Sequence, residues 1–305
     1  MAIRYLRNEE VDAGKWDECL NASMPTLLYA YSWYLDLVCD DWDALVLNDY
    51  EAVMPLPFTS KFGIKLAIQP PFCQQLGVFS RSALSEKVVN SFLAAIPERF
   101  RWVKLNLNYH NQLASSKTNR SNYVLDLMPG FKEVSLNFES SIDRSIRKSQ
   151  KTNCALLEGI DLRSILELLA WQNKEKNMGI SARSMQKLEK LIPVCTQKGV
   201  LLSIGLYSPV NQLCAVGVFL KDRQRIYYLL GASDKMGREY SGMPRILVYL
   251  IEKYAGQGYS LDFEGSEIPG VANFFKKFGA QNSPYPVFSR QGFGFLNGLV
   301  EGKLG

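Results

Sequence analysis

From Tyr228 to Gly242 the chain reads YLLGASDKMGREYSG, which gathers Ser233, Asp234, Arg238 and Ser241 into one polar loop closing at Gly242. Pro244 follows, at a first helical position where its missing N–H would have had no intrahelical partner. Beyond it Ile246, Leu247, Leu250, Ile251 and Tyr254 share one helical face, while Arg245, Glu252 and Lys253 fall on the other. The amides at the start of such a helix make a site for an anion. Ser233, Asp234, Arg238, Ser241 and Gly242 are therefore the candidate contacts to an acidic donor, with Arg238 as the phosphate contact. The alternative is that they are solvated loop residues.

What is scarce narrows the chemistry. The 305 residues contain one histidine, His110, read as a loop residue just past a strand end. Multi-histidine metal sites are excluded, and Ser-His or Cys-His catalysis has only that residue to use. The cysteines, at 19, 39, 73, 154, 195 and 214, show no C-x-x-C spacing and read as buried free thiols, without zinc or dithiol chemistry. A net charge of +5 permits an anionic partner such as a nucleotide, coenzyme or tRNA. Arg144, Arg147, Lys148 and Lys151 recur at i, i+3, i+4 and i+7 on a helix expected over Ser141–Lys151. That basic stripe is either a solvated face or a guide for a phosphate-bearing substrate. No apolar run reaches the ~18 residues of a membrane span, and the charged opening MAIRYLRNEE is not a signal core. A cytoplasmic protein is expected.

The elements that must position these residues follow from periodicity. Arg225–Gly231 alternates as a strand, and Gly256 and Gly258 end the helix after Pro244. Tyr259–Phe263 is a second, parallel strand. Tyr227 and Tyr228 point to opposite faces, so at most one lines a cleft; Asp262 and Glu264, two apart, are expected on one face. Earlier, Val11–Leu20 and Leu27–Val38 read as helices. Asp43–Leu47, Ala52–Phe58 and Ile64–Ile68 read as strands. Leu84–Ile96 is a helix capped by Ser82 or Ser85, and Trp102–Leu107 and Tyr123–Leu127 are strands. Asp161 and Ser184 are expected to cap two further helices, with Pro193 kinking or ending the second. Strands are then expected at Val200–Tyr207, Leu213–Leu220 and Val287–Arg290.

Both halves thus run helices, three antiparallel strands, an irregular loop, a helix and a strand. Met128-Pro129-Gly130 is the expected domain boundary, giving residues 1–130 and 131–305, with the tail after about 284 packing back on the first domain. Gln69-Pro70-Pro71-Phe72 occupies the loop position in the first copy, where Gln69 and Phe72 either shape an acceptor groove or cap the sheet.

Four stretches together resemble the FemABX peptidyltransferase family, whose members include methicillin resistance factors that add amino acids to peptidoglycan precursors. Arg144-Ser-Ile-Arg147-Lys148-Ser-Gln-Lys151 is similar to the basic entry into that family's second domain. Tyr228-Leu-Leu-Gly231-Ala232-Ser233 resembles its Y-x-x-G-A-S strand end. Asp262-Phe263-Glu264-Gly265 resembles D-F-x-G, and Phe274 to Gly279 resembles F-K-x-x-F-G. The motifs cover the C-terminal half; the N-terminal half matches in element order. In the last motif the family's lysine follows the first Phe, where this chain has Phe275 and carries its lysines at Lys276 and Lys277. Arg238-Glu-Tyr-Ser-Gly242-Met-Pro244 is a loose version of the loop used by coenzyme-A-dependent GNAT enzymes.

The resemblance implies an α/β (α+β) chain of tandem GNAT-like domains, each a mixed, mostly antiparallel sheet flanked by helices. It implies an acyl- or aminoacyltransferase with an amine acceptor, a small molecule or cell-wall precursor, and aminoacyl-tRNA or acyl-coenzyme A as co-substrate rather than a resident cofactor. Such transfer needs alignment and oxyanion stabilisation but no protein nucleophile. Lys276 is then the candidate for stabilising the oxyanion or the donor phosphate, and Glu264 for positioning or deprotonating the amine. Tyr228, Gln69, Phe72 and Arg147 are the candidate substrate contacts. A coenzyme-A-dependent N-acyltransferase and a non-catalytic duplicated scaffold remain the alternatives.

Overall fold

In the first part of the chain, alternating apolar runs between turn residues become strands. The elements are β1 (Ile3–Leu6), α1 (Ala13–Asn21), α2 (Ser32–Val38), β2 (Asp41–Leu47), β3 (Ala52–Lys61), β4 (Ile64–Ile68), β5 (Phe79–Ser80), α3 (Glu86–Ala94), β6 (Phe100–Asn106) and β7 (Asn119–Arg120). These come from a computed structural model that describes residues 2–61, 63–113, 118–265 and 267–291. Asp12 caps α1 by accepting from the Lys15 amide, and Ser85 caps α3 by accepting from the Val88 amide. The single helix expected over Leu27–Val38 is instead a 3-10 turn, Leu28–Ala30, followed by α2. Tyr31 is extended at the break, and Asp17 of α1 takes both the Ser32 amide (2.9 Å) and its hydroxyl (3.1 Å). A cap supplied from a neighbouring helix overrides the local apolar pattern.

The second part holds β8 (Tyr123–Asp126), α4 (Phe131–Ser135), α5 (Ser140–Gln150), β9 (Ala155–Glu158), α6 (Leu162–Lys176), α7 (Ala182–Gln197), β10 (Leu201–Tyr207), β11 (Leu213–Lys221), β12 (Arg225–Ser233), α8 (Lys235–Glu239), α9 (Gly242–Tyr254), β13 (Ser260–Asp262), α10 (Pro269–Lys276) and β14 (Gln281–Asn282). Asp161 caps α6 as expected, but α7 is capped by Ser181, whose hydroxyl accepts from the Ser184 amide. Pro193 neither starts nor ends α7, which runs on to Gln197. Ile246, Leu247, Leu250 and Ile251 of α9 are fully buried against the sheet, each contributing about 1.5–3 kcal/mol by leaving water.

One more strand, β15 (Tyr285–Gln291), pairs with β6 and β7. The chain accordingly divides into one unit of Met1–Arg120 with the chain after Ser283, and another of Ser121–Ser283. Among the described residues, the first sheet runs β1-β2-β3-β4-β6-β15-β7 with β5 beside β3, and the second runs β14-β8-β13-β12-β11-β10-β9. The chain is therefore α/β, with two mostly antiparallel sheets flanked by helices. Each sheet has one parallel pair, β4–β6 in the first and β12–β13 in the second. The Met128-Pro129-Gly130 break lies inside the second unit, because β8 before it pairs with β13.

Candidate active site

The second unit opens where its parallel pair separates. β12 pairs with β13 from Arg225–Ser260 to Tyr227–Asp262, then continues to Ser233 while β13 stops. On its other edge β12 carries a bulge. Phe219 faces Tyr228 and Val218 faces Leu230, which leaves Leu229 as the extra residue. A bulge bends a strand and steepens its twist, and this one lies where β12 and β13 cease to pair. A buried ion pair fastens the point of separation: Arg225 reaches Asp262 at 2.6 Å, and Asn122 donates to the same carboxylate oxygen at 3.2 Å.

Beyond that point the residues are aromatic. Tyr228 stacks on Phe219 (5.3 Å) and meets Phe263 and Phe275 edge-on. Gly231 gives its hydroxyl room, since a Cβ there would lie 1.9 Å from Tyr228 Oη. Burial alone raises the Tyr228 pKa above the ordinary tyrosine value, so the phenol keeps its proton and can donate it. Tyr227, on the other face, is fully buried and donates to Asp222 at 2.5 Å.

Where another strand would pair with β12, a side chain does so. Gln172 of α6 donates to the Gly231 carbonyl (3.3 Å) and accepts from the Ser233 amide (2.8 Å). Nothing in the motif reading pointed to Gln172. Its signal is a polar residue continuing the apolar stripe Ile165, Leu168, Leu169 at helical spacing. The Ser233 hydroxyl is buried and has no hydrogen-bond partner among the described residues.

The polar loop expected after β12 contains a short helix, α8. Asp234 caps it by accepting from the Gly237 amide at 2.7 Å. Gly237 has to be glycine, because a Cβ would come within 2.0 Å of the Cys214 carbonyl oxygen. Gly242 is similarly confined, with Ala215 Cβ 2.6 Å from the position a Cβ would take. Ser241 enters α9 in the left-handed region (φ 55°) and makes no side-chain cap, and α9 has no acidic residue in its first turn. The amides of Gly242 and Met243 lie ahead of the first intrahelical bond, from Arg245 to the Ser241 carbonyl. Arg238, expected on a phosphate, is held by Glu175 at 2.8 Å and by the Ser233 carbonyl at 2.9 Å, with Trp171 beside it.

The other expected site residues are placed unevenly. Glu264 follows Phe263 at the carboxyl end of β13, but it does not share a face with Asp262. Asp262 is buried and ends the strand, and Glu264 turns left-handed at φ 58° with its amide bonded back to Asp262 at 2.8 Å. The strand alternation that put them on one face has already ended. Phe275, in the family's lysine position, is core. Lys276 ends α10, exposed, with its ammonium 5.5 Å from the Tyr123 ring on the β8 side of β13. Arg147 lies exposed on α5 with Arg144 and Lys148, and Lys151 is exposed just past its end. Helix α5 is tied to the first turn of α9 by Arg245, which donates to the Ser149 carbonyl at 3.2 Å. Tyr228, Ser233, Asp234, Arg238, Ser241 and Gly242 are thus one neighbourhood, Glu264 borders it through Phe263, and Lys276 and Arg147 sit on flanking helices.

Gln69 and Phe72 belong to the first unit. Gln69 donates to the Cys73 carbonyl (2.9 Å) and accepts from the Asn106 amide (3.2 Å), so both ends of its amide brace the loop. Phe72 is left-handed (φ 60°), and its carbonyl accepts from the Tyr34 hydroxyl. Of the thiols, Cys214 and Cys195 are each pushed up to about 12, chiefly by burial, which leaves them protonated and poor nucleophiles. Among the described residues no helix is long and apolar enough to cross a membrane.

No family model and no curated protein matches the sequence. Solved structures do match. FemX superposes with a TM-score of 0.67 and 13% identity over 99% of this chain and 100% of that one. The C-terminal domain of a putative lysylphosphatidylglycerol synthetase from Agrobacterium fabrum gives 0.58 and 9% over 97% and 95%. L-PGS from Bacillus licheniformis gives 0.53 and 13% over 92% of each chain. At such identities the likeness is one of fold, and it extends over nearly the whole chain.

Proposed function

We propose that this protein is an acyltransferase of FemABX type, moving an acyl or aminoacyl group from a phosphate-bearing donor to an amine acceptor. The observation that carries the reading is the separation of β12 from β13 beyond Tyr227 and Asp262, beside a helix that begins without a side-chain cap. An extended donor can lie along β12 with its acyl carbonyl near Tyr228, ahead of the Gly231–Ser233 edge that Gln172 covers, and its phosphates at Gly242 and Met243. The amine attacks the carbonyl carbon directly, the tetrahedral oxyanion collapses, and the donor's ester oxygen or thioester sulfur leaves with a proton. Tyr228, protonated and half-buried, is positioned to supply that proton, and Glu264 to accept one from the amine. Lys276 is the remaining candidate for the oxyanion or donor phosphate. The motif resemblance to the FemABX family supports aminoacyl-tRNA as donor, and the exposed stripe Arg144–Lys151 suits a polyanion. A cell-wall-precursor amine is the acceptor class that the resemblance to the FemABX family implies.

The entry into α9 favours one second reading, coenzyme A as the donor, because its pyrophosphate is the anion such a helix start accommodates. A transfer assay offering aminoacyl-tRNA and acyl-coenzyme A in parallel, with wild type, Lys276→Ala and Lys277→Ala, separates the two. Turnover with the first donor alone is expected. Turnover unchanged in both lysine variants removes the lysine role, and turnover with neither donor removes the enzyme reading.

A further inference from the structure

We infer that the first unit carries a second small-molecule site, centred on Arg81 and His110, which takes an oxyanion borne on a compact apolar body. The site is independent of the acyl-transfer reading. A cavity of about 640 Å³ lies between the end of α1, the loop after β5 and the turn after β6. Its polar side comprises Arg81, His110, Tyr109, Ser80, Ser82 and Gln112, each able to donate a hydrogen bond. No aspartate or glutamate is among its described lining residues. Met24 and Leu84 form the apolar side, and Met24 is 73% exposed.

Exposed donors alone would be ordinary surface. What distinguishes this place is the brace beneath it. Asn108 and Asn111 are buried, and both side-chain amides donate to the Val78 carbonyl at 2.9 Å. Asn111 accepts from the Val78 amide at 2.7 Å, Asn108 from the His110 amide at 3.1 Å, and Gln75 from the Tyr109 amide at 3.0 Å. Gly77 admits the brace, since a Cβ there would lie 2.3 Å from Asn111 Oδ1. Side chains thus supply the hydrogen bonds that a strand would have supplied, and they lock the segment before β5 to the turn after β6. Buried amides are costly unless fully bonded, so a network of them under a surface cavity fits a wall that must be held in place.

The side chains above the brace are set to meet an anion. His110 stands edge-on to the Tyr109 ring at 4.7 Å, which orients the imidazole. Arg81 donates its backbone amide to the Glu51 carbonyl at 3.1 Å. Its guanidinium lies beside the Cys19 thiol and forms a loose ion pair with Glu18 at 3.7 Å, the two side chains being 43% and 73% exposed. Such a pair is weak, and a ligand oxyanion can take its place with better geometry. The guanidinium fork accepts carboxylate and phosphate alike, so the shared chemistry is an oxyanion and the source is left to experiment.

Because His110 is the only histidine in the sequence, its ring resonances report on the cavity without competing signals. Phenyl phosphate, benzoate and the neutral benzyl alcohol present matched apolar bodies. The expected result is a saturable shift of the His110 signals with at least one anion and none with benzyl alcohol, the tighter anion identifying the source. Arg81→Gln should raise the half-saturating concentration at least tenfold with the rest of the spectrum unchanged, and Arg81→Lys, keeping the charge but losing the fork, should fall between. No saturable shift with either anion, an equal shift with benzyl alcohol, or an unchanged curve in Arg81→Gln would overturn the assignment.

Discussion

The two units run through the same succession of elements yet finish their parallel pairs in opposite ways. In the first, β4 and β6 stay together from Lys65–Phe100 to Ile68–Lys104, and a further bridge joins Leu76 to Leu107. Gln69 and Asn106 fill the step between them, and the following helix, α3, is closed by Ser85 with Glu86 in its first turn. In the second, β12 and β13 part after Tyr227 and Asp262, aromatic rings occupy the gap, and α9 begins with no side-chain cap and no acid. Side-chain amides zip one crossing and aromatics wedge the other. An acidic donor is repelled by Glu86 at the start of α3 and is met by bare amides at α9. On the proposed function, the same scaffold therefore offers a donor site in one copy only.

The largest expected effect sharpens this at the buried carboxylates. Arg225→Met leaves Asp262 buried without its cation and should cost about 3–5 kcal/mol, read from urea unfolding. The first unit's buried carboxylate, Asp43, is shared by Lys65 at 3.4 Å, Arg99 at 3.9 Å and the Tyr5 hydroxyl. Lys65→Met should therefore cost less, roughly 1–2 kcal/mol. Equal losses would erase the distinction. Next in size, Ser85→Ala removes a working cap and should cost about 1 kcal/mol, whereas Ser241→Gly relieves a left-handed residue and should stabilise by about 0.5–1 kcal/mol. The smallest effect concerns alkaline pH. Burial, then the Asp43 carboxylate, holds the Tyr5 pKa above its ordinary value of 10.0. The stability this provides is present below about pH 10 and is lost as pH rises past it, when the unfolded tyrosine ionises first. Tyr5→Phe should flatten that alkaline fall, and a slope unchanged from wild type would show that Tyr5 does not set it.

Much of the second unit was legible because its signals are local. The stripe Ile246, Leu247, Leu250, Ile251 and the proline ahead of it identify α9, and alternation identifies β10, β11 and β12. Helix α8 was not legible: it is one turn long, with Gly237 inside it, and its formation depends on the Asp234 cap and on packing against Cys214. Parity puts Asp262 and Glu264 on one face only while the strand lasts, and β13 ends at Asp262, with Gly265 as the break signal after them. The pattern admits Ser184 as the cap that Ser181 provides, two hydroxyls three apart being equivalent to it. The partners of β8 are remote in sequence, so alternation could find that strand but not its sheet, whereas the tail expected to return to the first domain does so as β15. Gln172 was missed because a lone amide on an apolar stripe resembles a tolerated exception until the strand edge it serves is seen.

The claim on which the rest turns is that the donor lies along β12 and at the start of α9 in the second unit. Hydrogen–deuterium exchange, run with and without aminoacyl-tRNA and again with and without acyl-coenzyme A, tests it without knowledge of the acceptor. One of the two donors should slow exchange across Leu229–Arg245 and leave Ile68–Val88 of the first unit unchanged. Protection centred on Ile68–Val88, or no protection by either donor, would contradict the account.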